Sequence, residues 1–188
     1  MPFTQNSNFN NNNAPQGEKK KTNFPVGRVY GTDAILNLSI WISDSAVYTI
    51  FAIKQAIGKD PSTGANAFEQ KAPNELPRVF MNPEYLCAFR EAAKLGNDIN
   101  ISPKRGTTIR VTGINTNQIK ITIDTEKQGS RTITFDSIPT GSSNVQASWI
   151  NMTKLLEVAY KKALFAKLDP EAFAVAFDAE GSTEELPI

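Results

Sequence analysis

The sequence has no histidine and only one cysteine, Cys87. Without histidine it lacks the side chain that ordinarily titrates near neutral pH, every Ser-His or Cys-His nucleophile pair, and the usual zinc and copper ligand sets. A lone cysteine cannot close an internal disulfide, and Cys87 reads as a small packed side chain. Long apolar runs are missing too: none approaches the roughly 20 residues that span a bilayer. The opening stretch, MPFTQNSNFNNNN, has neither the charged start nor the apolar core of an export signal. Acidic residues are scattered singly instead of recurring in close pairs. The expectation from these absences is a cytoplasmic protein with no membrane segment, no metal, no cofactor and no catalytic residues.

The 20 basic and 19 acidic side chains are unevenly distributed. Beyond Lys167 there are six acidic residues and no basic one, so residues 1 to 168 carry 20 basic against 13 acidic side chains. A basic body thus precedes an acidic end. Residues 1–22 are rich in Asn, end in Lys19, Lys20 and Lys21, and hold too little apolar surface to offset the entropy of ordering. They read as a disordered arm, residues 23–168 as one domain, and residues 169–188 as an acidic tail too rich in small residues for a helix.

Within the domain, AILNLSIWIS (34 to 43) alternates, placing Leu36, Leu38, Ile40 and Ile42 on one face and Asn37, Ser39 and Trp41 on the other. Ser43-Asp44-Ser45 turns the chain, and AVYTIFAIKQAI (46 to 57) returns antiparallel. The preferred register puts Val47, Phe51 and Ile53 inward and leaves Tyr48 and Lys54 beside Trp41; the opposite register is the alternative. A Gly/Pro-rich connection (58 to 77) holds one short strand near Phe68 to Lys71. Asn82 then caps a helix with Pro83 in its first turn, ending at Leu95-Gly96, with Leu86, Phe89 and Ala93 as its buried stripe.

The second half repeats this plan. TTIRVTGIN (107 to 115), QIKITID (118 to 124) and RTITFDSI (131 to 138) form a three-stranded meander, with Arg110, Lys120, Thr122, Thr132 and Thr134 on its polar face. A Gly/Ser loop (139 to 147) precedes a long helix, 149 to 168, with Met152, Leu155, Leu156, Ala159, Ala163 and Leu164 on its apolar side. The order strands, helix, strands, helix predicts an α+β fold with antiparallel sheets.

Cationic side chains that track phosphates, interleaved with flat rings that stack on any base, are what single-stranded nucleic acid requires. On this reading Trp41, Tyr48 and Phe68 stack bases while Lys54, Lys104, Arg105, Arg110, Lys120 and Arg131 meet phosphates. Cover of Trp41 by the long connection, a helix or a second subunit is the competing explanation.

The stretch from IGKDPSTG through PRVFMNPEYLCAFREAAK resembles the end of a positive-cofactor-type coactivator or Whirly-like domain, where strands and a Pro/Gly-rich connection lead into an Asn-Pro-Glu-capped helix. The doubled strands-helix layout is similar to the Whirly arrangement over about residues 28 to 168, which implies sheets that bind single-stranded DNA. The Lys-Gly-Lys-Ala motif of plant Whirly proteins is absent, so no residue role is carried over. An oligonucleotide-binding barrel with an added C-terminal helix is the alternative fold. The last residues, STEELPI, resemble the acidic tip of bacterial and phage single-stranded DNA-binding proteins. That likeness implies that Glu184, Glu185, Leu186, Pro187 and Ile188 dock on replication or repair proteins.

The resulting expectation is a sequence-tolerant single-stranded DNA-binding protein, with RNA as a further ligand, forming homo-oligomers and serving phage or mobile-element replication and recombination. The rival is a structural or virion assembly protein without nucleic-acid activity. Last comes a magnesium-dependent nuclease using Asp124 and Asp136.

Overall fold

The computed structural model describes residues 23–71, 75–114, 116–136, 138–140, 143–145 and 147–181. The fold is α+β with antiparallel sheets and three helices, as the strand and helix periodicities predict. Strands β1 (Asn23–Tyr30), β2 (Ala34–Ile42) and β3 (Val47–Lys59) pair in sequence. Strand β3 is long enough to take two further partners, β4 (Asn66–Phe68) at its end and β5 (Arg78–Met81) along Thr49 to Ala52. Helix α1 (Pro83–Lys94) follows. The second sheet is the meander β6 (Ile99–Lys104), β7 (Thr107–Thr112), β8 (Gln118–Thr125) and β9 (Gly129–Asp136). A small hairpin, β10 (Ile138–Thr140) and β11 (Ser143–Val145), leads to α2 (Ala147–Leu168) and α3 (Pro170–Gly181).

The alternation read in β2 is realised: Leu36, Leu38 and Ile40 are buried, while Asn37, Ser39 and Trp41 are half-buried on the other face. In β3 the preferred register holds, with Val47, Phe51 and Ile53 inside. Phe51 packs on Phe89 of α1, with ring centroids 5.5 Å apart. The α1 boundaries follow the cap chemistry. The Asn82 side chain accepts a hydrogen bond from the Tyr85 amide at 2.9 Å, Pro83 opens the helix, and Gly96 leaves it at a φ of 71°. Ile109, Val111, Ile119, Ile121, Ile123, Ile133 and Phe135 of the second sheet join the same core, each fully buried side chain contributing about 1.5–3 kcal/mol.

Several elements depart from the sequence expectation. Residues 99 to 104 form an edge strand, making the meander four-stranded, because Pro103 is tolerated at an edge where its missing N–H faces no partner. The short strand expected at 68 to 71 lies at Asn66–Phe68 instead. Part of the expected Gly/Ser loop is the β10–β11 hairpin. On α2, Leu164 is exposed and Ala166 is buried in its place, because Ala166 continues the spacing of Ala159 and Ala163.

The largest departure is α3. Asp169 caps it, accepting a hydrogen bond from the Ala172 amide at 2.9 Å, with Pro170 in the first turn. Phe173 is buried and meets Phe24 of β1 edge to face at 5.2 Å; Phe177 meets the same ring at 5.2 Å. The folded unit therefore continues through residues that composition alone assigned to a tail.

The two sheets are tied at the β9 edge. Thr32 donates its amide to the Thr134 carbonyl at 2.8 Å, the Thr134 amide reaches the Asp33 carboxylate at 3.2 Å, and the Gln55 side chain donates to the Thr132 carbonyl. Gly31 permits this approach, since a Cβ there would lie 2.5 Å from the Thr134 oxygen. An edge that would otherwise offer free ladder groups is thereby capped. Among the described residues, no helix is long and apolar enough to cross a membrane.

Candidate nucleic-acid interface

The register of the first sheet defines its outer face. Trp41 lies opposite Tyr48, Ser39 opposite Ile50, Asn37 opposite Ala52 and Ile35 opposite Lys54. From the flanking strands, Asn23, Pro25, Arg28 and Tyr30 of β1 and Arg78 and Phe80 of β5 share that face. Its charged side chains in these strands are Arg28, Lys54 and Arg78, with no carboxylate between them.

Trp41, Tyr48 and Phe80 form one aromatic cluster. Trp41 and Tyr48 stack with centroids 5.8 Å apart, and the Phe80 ring stands edge-on to both, at 6.0 and 6.2 Å. Each ring is half-buried, so the cluster is braced internally yet keeps accessible surface. Arg78 places its guanidinium over Phe80, 5.1 Å from the ring centroid.

Arg78 also lines two neighbouring hollows. One, about 280 Å³, lies on the outer face of the first sheet among Asn23, Arg28, Asn37, Ser39 and Lys54. The other, about 290 Å³, runs from Arg78 and Phe80 to Lys104, Arg105 and Lys127 at the ends of β6 and β8, with Glu126 as its one carboxylate. Basic and aromatic side chains thus form a continuous track across β5.

Of the residues singled out in the sequence, Trp41, Tyr48 and Lys54 share the outer face. Lys54, however, stands opposite Ile35 and not beside Trp41, roughly 20 Å along β3 from Tyr48. Lys104 and Arg105 are exposed on the second hollow. Phe68 pairs opposite Ala56 at the far end of β3, away from the cluster. Arg110 and Lys120 do lie on the outer face of the second sheet, but Arg110 is held by Asp124 at 2.6 Å and the face is otherwise mostly threonine. Arg131, expected to meet phosphate, is already engaged by a carboxylate. It lies opposite Ile123 on the inward side of β9, where Glu69 holds it at 3.6 Å. Glu184, Glu185, Leu186, Pro187 and Ile188 lie outside the described residues.

Sequence reasoning missed Arg28, Tyr30, Arg78 and Phe80. For the last two the signal was present: in Arg-Val-Phe-Met, a period of two puts Arg78 and Phe80 together, with Val79 and Met81 buried. Arg28 and Tyr30 lie in β1, where Pro25 and Gly27 interrupt the strand pattern; a bulge between Pro25 and Gly27 absorbs them.

The carboxylates near these elements are already engaged. Burial alone would raise the Glu69 pKa, but the Gln55 amide, Arg131 and Lys71 together hold it below the ordinary glutamate value. Hydrogen bonds from Gln118 and Thr32 lower Asp136. Asp124 and Asp136 sit opposite Ser130 and Gln118, at opposite ends of the β8–β9 ladder, so they do not form a pair. Among the described residues, no three His, Cys, Asp or Glu side chains gather closely enough to hold a metal ion.

Comparison of the chain with protein-family models, with characterised proteins and with solved structures finds no match.

Proposed function

We propose that this protein binds single-stranded nucleic acid, DNA in the first instance, with broad sequence tolerance, through the outer face of the first sheet. The observation that carries the reading is the joining of the Trp41–Tyr48–Phe80 cluster to Arg28, Lys54 and Arg78 on a face to which the described strands bring no carboxylate, extended by Lys104 and Arg105. Rings accept bases of any kind, and the cations release counterions from the phosphates. The element order, strands β1 to β5, helix α1, strands β6 to β11 and then α2, has the strands-helix-strands-helix sequence of a Whirly-like arrangement, with the short β4 and the β10–β11 hairpin as additions to four strands per sheet. A role in phage or mobile-element replication or recombination, with the C-terminal tip recruiting partner proteins, belongs to the same proposal and rests on the resemblance of that tip.

Titration of a labelled unstructured oligonucleotide at increasing salt tests the reading. Binding at low salt that weakens steeply as salt rises supports it. Absence of binding at low salt, or affinity indifferent to salt, refutes it.

The assembly-protein reading is favoured by a different feature. Ile150, Val158, Phe165 and Leu168 are exposed along α2, a surface suited to contact between subunits. Large regular particles formed without nucleic acid would favour that reading; a small oligomer that binds DNA fits the first.

A further inference from the structure

The hollow on the outer face of the first sheet has chemistry that a merely tolerant surface does not need. Its base is apolar: Ile50 and Ala52 of β3 and the neighbouring Leu76 line it and are themselves buried. Beside them stand Asn37 and Ser39, both half-buried, whose side chains have no hydrogen-bond partner among the described residues. Arg28, Lys54 and Arg78 complete the lining.

Each part narrows the ligand. A free phosphate would use the cations and leave the apolar base exposed to water. An aliphatic ligand would cover that base but strand the Asn37 amide and the Ser39 hydroxyl without partners, at a cost. A flat heteroaromatic ring with a polar edge, attached to a phosphate, satisfies all three. The volume of about 280 Å³ lies close to the lower end of the range of about 300–1,000 Å³ for drug-sized ligands, room enough for a nucleobase. The Asn37 amide offers donors and an acceptor side by side, the pattern that reads a base edge carrying the complementary pair.

Building on the nucleic-acid reading above, we propose that this hollow is a base-selective subsite for one unstacked nucleotide, with Asn37 and Ser39 reading the base edge and Arg28, Lys54 and Arg78 holding its phosphates. The aromatic cluster supplies tolerant stacking; the hollow adds preference at one position of the bound strand.

The test is fluorescence anisotropy with equal-length oligonucleotides containing only A, only C or only T, on the full chain and on Asn37→Ala and Ser39→Ala. Unchanged thermal melting of the variants establishes that they fold. The expected result is a spread of at least about fivefold among the three wild-type affinities, collapsing to within about twofold in Asn37→Ala with the salt slope unchanged. A wild-type spread below about twofold, or a spread that survives both substitutions, overturns the subsite and leaves general binding intact. Failure of all three oligonucleotides to bind at low salt removes the nucleic-acid reading itself.

Discussion

The Arg78 guanidinium lies over the Phe80 ring, 5.1 Å from its centroid, and that ring in turn stands edge-on to Trp41 and Tyr48. A cation fixed on an aromatic platform keeps its charge beside the surface on which a base stacks, so phosphate contact and stacking are coupled in one place. Arg78 also borders both hollows, which makes it the junction of the basic track.

Replacing Arg78 with Gln should therefore weaken oligonucleotide binding about tenfold and reduce the salt slope by about one. Lys120→Gln, on the outer face of the second sheet, should leave both unchanged. The pair is read by the same salt titration. Equal losses from the two substitutions would move the interface to the second sheet.

Arg131 is expected to matter for stability and not for binding. Its partner Glu69 is only 8% exposed and also accepts the Gln55 amide at 3.1 Å. Arg131→Ala removes part of what balances that carboxylate and should cost about 1–3 kcal/mol in urea denaturation. Oligonucleotide affinity measured well below the transition should stay at the wild-type value.

Phe173 should anchor α3. Phe173→Ala vacates the site against Phe24 and is predicted to destabilise the protein by about 3–5 kcal/mol, with helical circular dichroism lost from α3. A change below about 1 kcal/mol would mean that α3 is not part of the cooperative unit.

The absence of histidine sets the pH behaviour. Glu69, Glu157 and Asp136 all have pKa values lowered by folding, so the unfolded chain takes up protons more readily as acid is added. Their stabilisation is complete above the ordinary carboxylate values, 4.5 for glutamate and 3.8 for aspartate, and is lost as pH falls through the lower folded values. Thermal melting should be flat between about pH 6 and 7.5 and decline below about 4.5. A midpoint that moves strongly between pH 6 and 7 would contradict this.

How far the sequence speaks depends on how local each signal is. Asn82-Pro83-Glu84 announces α1 because cap, proline and acidic first turn act within one turn of helix. Asp169-Pro170-Glu171 carries the same grammar for α3, but acidic composition and small residues outweighed it, since the burial of Phe173 depends on Phe24, far away in the chain. Alternation placed Trp41 and Tyr48 on one face correctly because a hairpin register is local. Arg131 has the look of any strand-borne cation, and only the placing of Glu69, just after β4, beside it gives it a partner. The site was thus half legible: the aromatic pair came from a hairpin, whereas Phe80 and Arg78 joined it through the pairing of β5 with β3.

The most direct test uses the protein's own indoles. Trp149 is 8% exposed in the core and Trp41 is half-buried on the outer face, so Trp149→Phe leaves Trp41 as the sole tryptophan reporter. Adding an unstructured single-stranded oligonucleotide to that variant at low salt should quench its fluorescence saturably, and raising the salt should reverse the quench. Binding detected by anisotropy with no change in Trp41 emission, or no binding at all, would contradict the assignment of the first sheet's outer face as the nucleic-acid interface.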